Sequence, residues 1–107
     1  MARYLFLCGE GVKRSPTAAA VARRLALARG VQIETEYGGI NYVSAEAAPG
    51  LRARFDRFVV MERYMADRLA ALGIEPERIV CLDIPDRYER GAPELVAMLE
   101  ERLAALF

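Results

Sequence analysis

The chain has 107 residues, 54% of them hydrophobic, enough for one compact domain spanning 1–107 to bury a core without disulfides or metal. Its 15 Lys and Arg balance its 15 Asp and Glu and are interspersed with them, so no broad basic face for nucleic acid is expected. No apolar run approaches the roughly 20 residues of a membrane span, histidine is absent, and two cysteines are too few for a disulfide framework or an all-cysteine metal site.

In chain order, Ala2 to Leu7 reads as a short strand buried on both faces. Ser15 and Pro16 mark a helix start, with Ala18, Val21, Ala22 and Leu25 forming one apolar stripe, Arg23 and Arg24 facing water, and Gly30 closing the helix. Val31, Ile33, Thr35 and Tyr37 alternate with polar residues, the period of a strand half exposed at a sheet edge. Gly38-Gly39 ends that pattern, and the stretch to Arg54 shows room for one short helix and little else. Phe58 to Met61 predicts a third strand, followed by a helix through Tyr64, Met65, Leu69 and Leu72 that stops at Gly73, with Tyr64 and Met65 read as core. Arg78 to Leu82 predicts the fourth strand, Ile84 to Tyr88 a loop enforced by Pro85, and the last helix starts near Pro93. Alternating strands and helices predict a three-layer α/β domain, a four-stranded parallel sheet in the order 2-1-3-4 with helices on both faces. In that order the sheet has a topological switch point where strand 1 ends, the usual seat of a ligand.

Cys8-Gly9-Glu10-Gly11-Val12-Lys13-Arg14-Ser15 lies at that point, between the first strand and the first helix. A loop of this length can turn successive backbone N–H groups toward one anion, and the helix N-terminus behind it adds positive potential. A thiol facing those donors and the Arg14 guanidinium should ionise well below the free-cysteine pKa of about 8.5, and the thiolate is the nucleophile. Without histidine, Ser-His-Asp and Cys-His catalysis, His-ligated zinc and His general bases are excluded, so fields and hydrogen bonds must activate Cys8. Gly9, Glu10, Gly11, Val12, Lys13, Arg14 and Ser15 are therefore the candidate anion-binding residues. Cys81, inside the apolar run Ile79 to Leu82, reads as a small core residue.

Cys8, five residues, Arg14, Ser15, Pro16 and Thr17 after an N-terminal strand resemble the low-molecular-weight protein tyrosine phosphatases. Phe55-Asp56-Arg57-Phe58-Val59-Val60-Met61-Glu62 and Cys81-Leu82-Asp83-Ile84-Pro85-Asp86-Arg87-Tyr88 are similar to the small branch often labelled predicted protein tyrosine phosphatases. The resemblance implies that the anion held by residues 9 to 15 is a phosphate, Cys8 forms a phosphocysteine, Arg14 clamps the phosphoryl group, Ser15 stabilises the thiolate, and Asp86, followed two residues later by aromatic Tyr88, is the general acid. Asp83 is the second choice for that acid. Five departures stand out: Gly11 replaces an asparagine that braces the loop, Glu10 adds a negative charge to it, Ala19 replaces a common glutamate, Ala92 replaces a helix-capping aspartate, and Tyr37-Gly38-Gly39 replaces a serine-alanine-glycine turn.

The expected activity is hydrolysis of a phosphomonoester, on phosphotyrosine or another aryl phosphate, without metal or cofactor. The expected partner is a phosphorylated protein or a small phosphate ester, with no nucleic acid and no membrane, and the expected location is cytoplasmic. Cys8-Gly9-Glu10-Gly11-Val12 also resembles the phosphorylated loop of the IIB phosphocarriers of sugar phosphotransferase systems, and a non-catalytic phosphate-binding module is a third reading. Arg14 and the Ile84-Pro85-Asp86 segment favour hydrolysis, because a carrier must shield its phosphocysteine from water.

Overall fold

Strand β1, Ala2–Cys8, runs through the middle of the sheet and is fully buried from Leu5 onward, as its unbroken apolar sequence requires. The computed structural model describes residues 1–107. Helix α1 follows over Arg14–Ala28 and turns Ala18, Val21 and Ala22 inward while Arg23 and Arg24 stay in water. It ends as the sequence suggests: Gly30 takes a φ of 72°, and the Val31 N–H donates back to the Ala26 carbonyl at 2.9 Å. Strand β2, Ile33–Gly39, begins two residues later than the alternation starts and runs through the Gly38-Gly39 pair.

The stretch that sequence reads poorly contains a 3₁₀ turn at Ile40–Tyr42 and a seven-residue helix α2, Ala48–Arg54. Strand β3, Arg57–Val60, helix α3, Arg63–Ala71, strand β4, Ile79–Cys81, and helix α4, Pro93–Ala104, complete the chain. Ala92 occupies the N-cap of α4 and supplies no side-chain cap. Instead Thr17 Oγ1 donates to the Lys13 carbonyl at 2.8 Å and accepts the Gly91 N–H at 3.0 Å, tying the start of α4 to the start of α1.

All strands are parallel, in the order β2-β1-β3-β4. Right-handed crossovers put α1 on one face and α2 and α3 on the other, because the chain steps in opposite directions from β1 to β2 and from β3 to β4. Helix α4 then returns to pack beside α1. The register places Cys8 opposite Gly39, Leu7 opposite Val60, and Val60 opposite Cys81. The segments leaving these strand ends therefore emerge along one edge: the Cys8 loop, the Ile40–Tyr42 turn, Glu62, and the Ile84 to Asp86 loop. No helix is long and apolar enough to cross a membrane.

Candidate active site

At the end of β1 the Cys8 side chain is 3% exposed and forms the floor of a pocket of about 290 Å³ lined also by Gly9, Glu10, Val12, Lys13, Arg14 and Asp86. Sγ lies 3.2 Å from Ser15 Oγ, and the backbone N–H groups of Ser15, Gly11 and Lys13 point at it. Burial pushes the thiol pKa up, but the Ser15 hydroxyl and these three amides together outweigh it and hold the thiol below the ordinary value of a free cysteine. The first turn of α1 carries no acidic side chain, and the Lys13 side chain at its N-cap does not cap the helix, so the helix terminus keeps its positive end free for an anion.

Ser15 Oγ also lies 3.1 Å from the Gly38 carbonyl. One hydroxyl proton serves one acceptor at a time. With a neutral thiol it serves Gly38 while Cys8 donates to Ser15; with a thiolate it turns to sulfur. The bond network thus accommodates both protonation states of Cys8 through a single hydroxyl rotation.

Arg14 is 2% exposed, an unusual placement for an arginine and one that needs paired acceptors. Nη1 donates to Glu62 Oε1 at 2.8 Å and to the Ile84 carbonyl at 2.6 Å, so both protons of that nitrogen are engaged on the side away from Nε. Nε and Nη2 remain as a parallel fork of the kind that matches two phosphoryl oxygens. Asp86 Oδ1 stands 3.7 Å from Nε, with two-thirds of its side chain exposed at the rim.

Glu62 received no role from the sequence, although it ends the segment Phe55 to Glu62. The available signal was a polar residue directly after an apolar strand, where the strand end faces the site. Glu62→Ala should lower stability by roughly 1–2 kcal/mol, less than for a fully buried pair because the Glu62 side chain is 32% exposed. The same change frees Arg14 to rotate, so any phosphate affinity should fall with it; urea unfolding and phosphate titration check the two effects.

Glu10 points neither at Cys8 nor freely into water. Its carboxylate accepts from Asn41 Nδ2 at 2.8 Å and from the Tyr42 hydroxyl at 2.5 Å, and the Asn41 N–H donates to the Gly9 carbonyl at 3.2 Å. Gly11 lacks a bracing side chain but takes a φ of 77° and lies against Gly38 and Gly39 so closely that the 3₁₀ turn and the end of β2 brace the loop through backbone contact. Lys13 reaches outward to Glu89 at 3.2 Å.

Asp83 is not part of the pocket. It adopts a φ of 55°, and its carboxylate turns to Cys81, whose Sγ lies 3.5 Å away. Cys81 itself is half-buried rather than a full core residue, because β4 is an edge strand of three residues, and burial pushes its thiol pKa up. Tyr88 packs partly against the core with Arg87 over its ring at 5.4 Å and does not line the pocket.

Tyr64, read from sequence as core beside Met65, is instead 53% exposed while Met65 is fully buried. Helical periodicity aligns Met65 with Leu69, one step off Tyr64. The Tyr64 hydroxyl comes within 3.9 Å of the position a Cβ would take on Gly9, beside the Cys8 loop. Burial and the negative charge of Glu62 push its hydroxyl pKa up, against the opposing pull of Arg14.

No protein-family model and no curated protein matches this sequence. Solved structures do match. A low-molecular-weight phosphotyrosine phosphatase from Vibrio cholerae O395 aligns with a TM-score of 0.78 at 14% identity, covering 99% of this chain and 94% of that one. A protein tyrosine phosphatase from Entamoeba histolytica, solved with Hepes in its active site, gives 0.77 at 18% identity over 99% and 94% of the two chains. The tyrosine phosphatase Wzb from Escherichia coli K30, solved with phosphate, gives 0.70 at 17% identity over 97% and 94%. Across nearly its whole length, this chain has the fold of the low-molecular-weight protein tyrosine phosphatases.

Proposed function

We propose that the chain is a phosphomonoesterase that works through a phosphocysteine, with Cys8 as nucleophile, Arg14 as phosphate clamp and Asp86 as general acid. The observation that carries this reading is the placement of Cys8, beside the Ser15 hydroxyl at 3.2 Å, at the floor of a pocket walled by Arg14 and Asp86. The phosphatases that share the fold support it.

In this mechanism the phosphoryl dianion sits over Cys8, two of its oxygens on Arg14 Nε and Nη2 and the others on the loop N–H groups. The thiolate attacks phosphorus, and the bond to the leaving oxygen breaks as protonated Asp86 gives that oxygen its proton. Asp86, now a carboxylate, takes a proton from water. The resulting oxygen attacks phosphorus, and sulfur leaves as the thiolate that the Ser15 hydroxyl and the amides stabilise. No metal or cofactor enters either step. Asp86 is preferred to Asp83 because its carboxylate lines the pocket beside Arg14 while that of Asp83 faces Cys81.

Purified protein should release phosphate from p-nitrophenyl phosphate over many turnovers, with orthovanadate competing for the loop. An acid-quenched sample should carry a phosphate label on Cys8. Label that accumulates stoichiometrically with no turnover would favour the phosphocarrier reading. Vanadate binding with neither label nor release would leave only an anion-binding module.

A further inference from the structure

Of the charged side chains that line the pocket, Lys13, Arg14 and Asp86 each face an opposite charge and Glu10 does not. Lys13 Nζ holds Glu89 at 3.2 Å, and Arg14 holds Glu62 at 2.8 Å while facing Asp86 at 3.7 Å. Glu10 lines the same pocket, yet its oxygens accept only from neutral donors, the Asn41 amide and the Tyr42 hydroxyl. Neutral donors fix a carboxylate in place without cancelling its charge. They also hold its carboxyl pKa below the usual carboxylate range, which keeps Glu10 ionised at neutral pH.

A formal negative charge in the loop that surrounds a phosphoryl site opposes a dianion unless something compensates. Inside the pocket the compensation is supplied by Arg14 and the loop amides. Glu10 itself has no ion-pair partner, because its carboxylate is bonded only to Asn41 and Tyr42. The chain as a whole carries no net charge, so no long-range field masks this local one. The missing cation can come from the substrate. Consecutive residues of a peptide are 3.8 Å apart, so a side chain next to a phosphorylated residue held over Cys8 falls at the level of the rim.

Building on the phosphatase reading, we propose that the tethered Glu10 carboxylate is a specificity element: the site selects phosphorylated peptides with Lys or Arg beside the phosphorylated residue and discriminates against Asp or Glu there. Its contribution is to the choice among substrates, since the phosphoryl group itself is bound by other groups.

The test uses two phosphotyrosyl peptides of equal length, one with arginine on both sides of the phosphotyrosine and one with aspartate. At low ionic strength kcat/KM should favour the arginine peptide by about five- to tenfold, the sum of one attraction gained and one repulsion avoided at an exposed site. The ratio should fall toward one in 1 M salt, where the Debye length is about 3 Å. Glu10→Gln should shrink the ratio, whereas Tyr42→Phe, which keeps the charge and loses one tether, should preserve it. Equal kcat/KM values for the wild type, an unchanged ratio in Glu10→Gln, or a loss in Tyr42→Phe as large as in Glu10→Gln would each overturn the assignment. Fluorescence anisotropy of the two labelled peptides on the Cys8→Ser protein reads the same preference as an affinity ratio. A binding preference without wild-type turnover therefore supports the role of Glu10 while refuting hydrolysis, and turnover without preference does the reverse.

Discussion

Replacing Cys8 by serine is expected to reduce phosphate release from p-nitrophenyl phosphate by at least about a thousandfold while leaving the fold intact. The loss follows from ionisation rather than shape. A serine oxygen can occupy the sulfur position, since Ser15 Oγ at 3.2 Å and the amides of Gly11, Lys13 and Ser15 can bond to oxygen as well as to sulfur. Those donors lower the thiol pKa, but a hydroxyl starts too high for the same field to ionise it. The prediction has a second readout in stability. Because the folded thiol titrates below its unfolded value, the wild type gains stability as pH rises from the folded pKa toward the unfolded one, and loses that gain as pH falls through the folded pKa. Cys8→Ser has no such titration. The urea-derived stability difference between the two proteins should therefore grow in favour of the wild type from pH 5 to pH 9. Retained turnover would remove Cys8 from the mechanism, and a pH-independent difference would remove the lowered pKa.

How much of this site is legible in the sequence depends on how local each part is. The nucleophile, the amides and the helix start lie within Cys8 to Ser15, and their spacing alone predicts a cradle. The strand order follows from alternation and handedness, and the sheet has that order. Glu62 and the Ile84 carbonyl reach Arg14 from 48 and 70 residues away, and only the register of three strands brings them there. The direction of Glu10 is set by Asn41 and Tyr42, in a stretch where a three-residue 3₁₀ turn and a seven-residue helix are too short to show a period. Tyr64 leaves its expected place in the core for a related reason. A single aromatic residue on a helix or loop is assigned to core or surface by what lies opposite, which its neighbours in sequence do not specify.

The Gly11 and Gly39 contact is where local sequence most understates its importance, and alanine at either position should disable the loop. A Cβ on Gly11 would lie 2.6 Å from the Gly38 carbonyl carbon and 2.7 Å from the Gly39 nitrogen, and Gly11 has a φ of 77°. A Cβ on Gly39 would lie 2.7 Å from the Glu10 carbonyl carbon and 2.8 Å from the Glu10 and Gly9 oxygens. The atoms met are all backbone, and optimal carbon contacts are about 3.5–4.0 Å, so one of the two segments must move. Gly11→Ala should cost about 1–2 kcal/mol for the left-handed conformation and a further 1–3 kcal/mol for the overlap. Gly39, with φ at −106°, pays only for the overlap, which separates the two causes. Gly30 supplies the opposite control, since its φ is 72° but nothing lies within 4 Å of its Cβ position. Gly30→Ala should cost only the conformational part and leave the pocket untouched. In Gly11→Ala and Gly39→Ala, displacement of the Gly11 amide removes one of the donors that lower the Cys8 pKa, so the pH midpoint of iodoacetamide alkylation should move up. Wild-type alkylation in Gly39→Ala would show that backbone contact with β2 does not brace the loop.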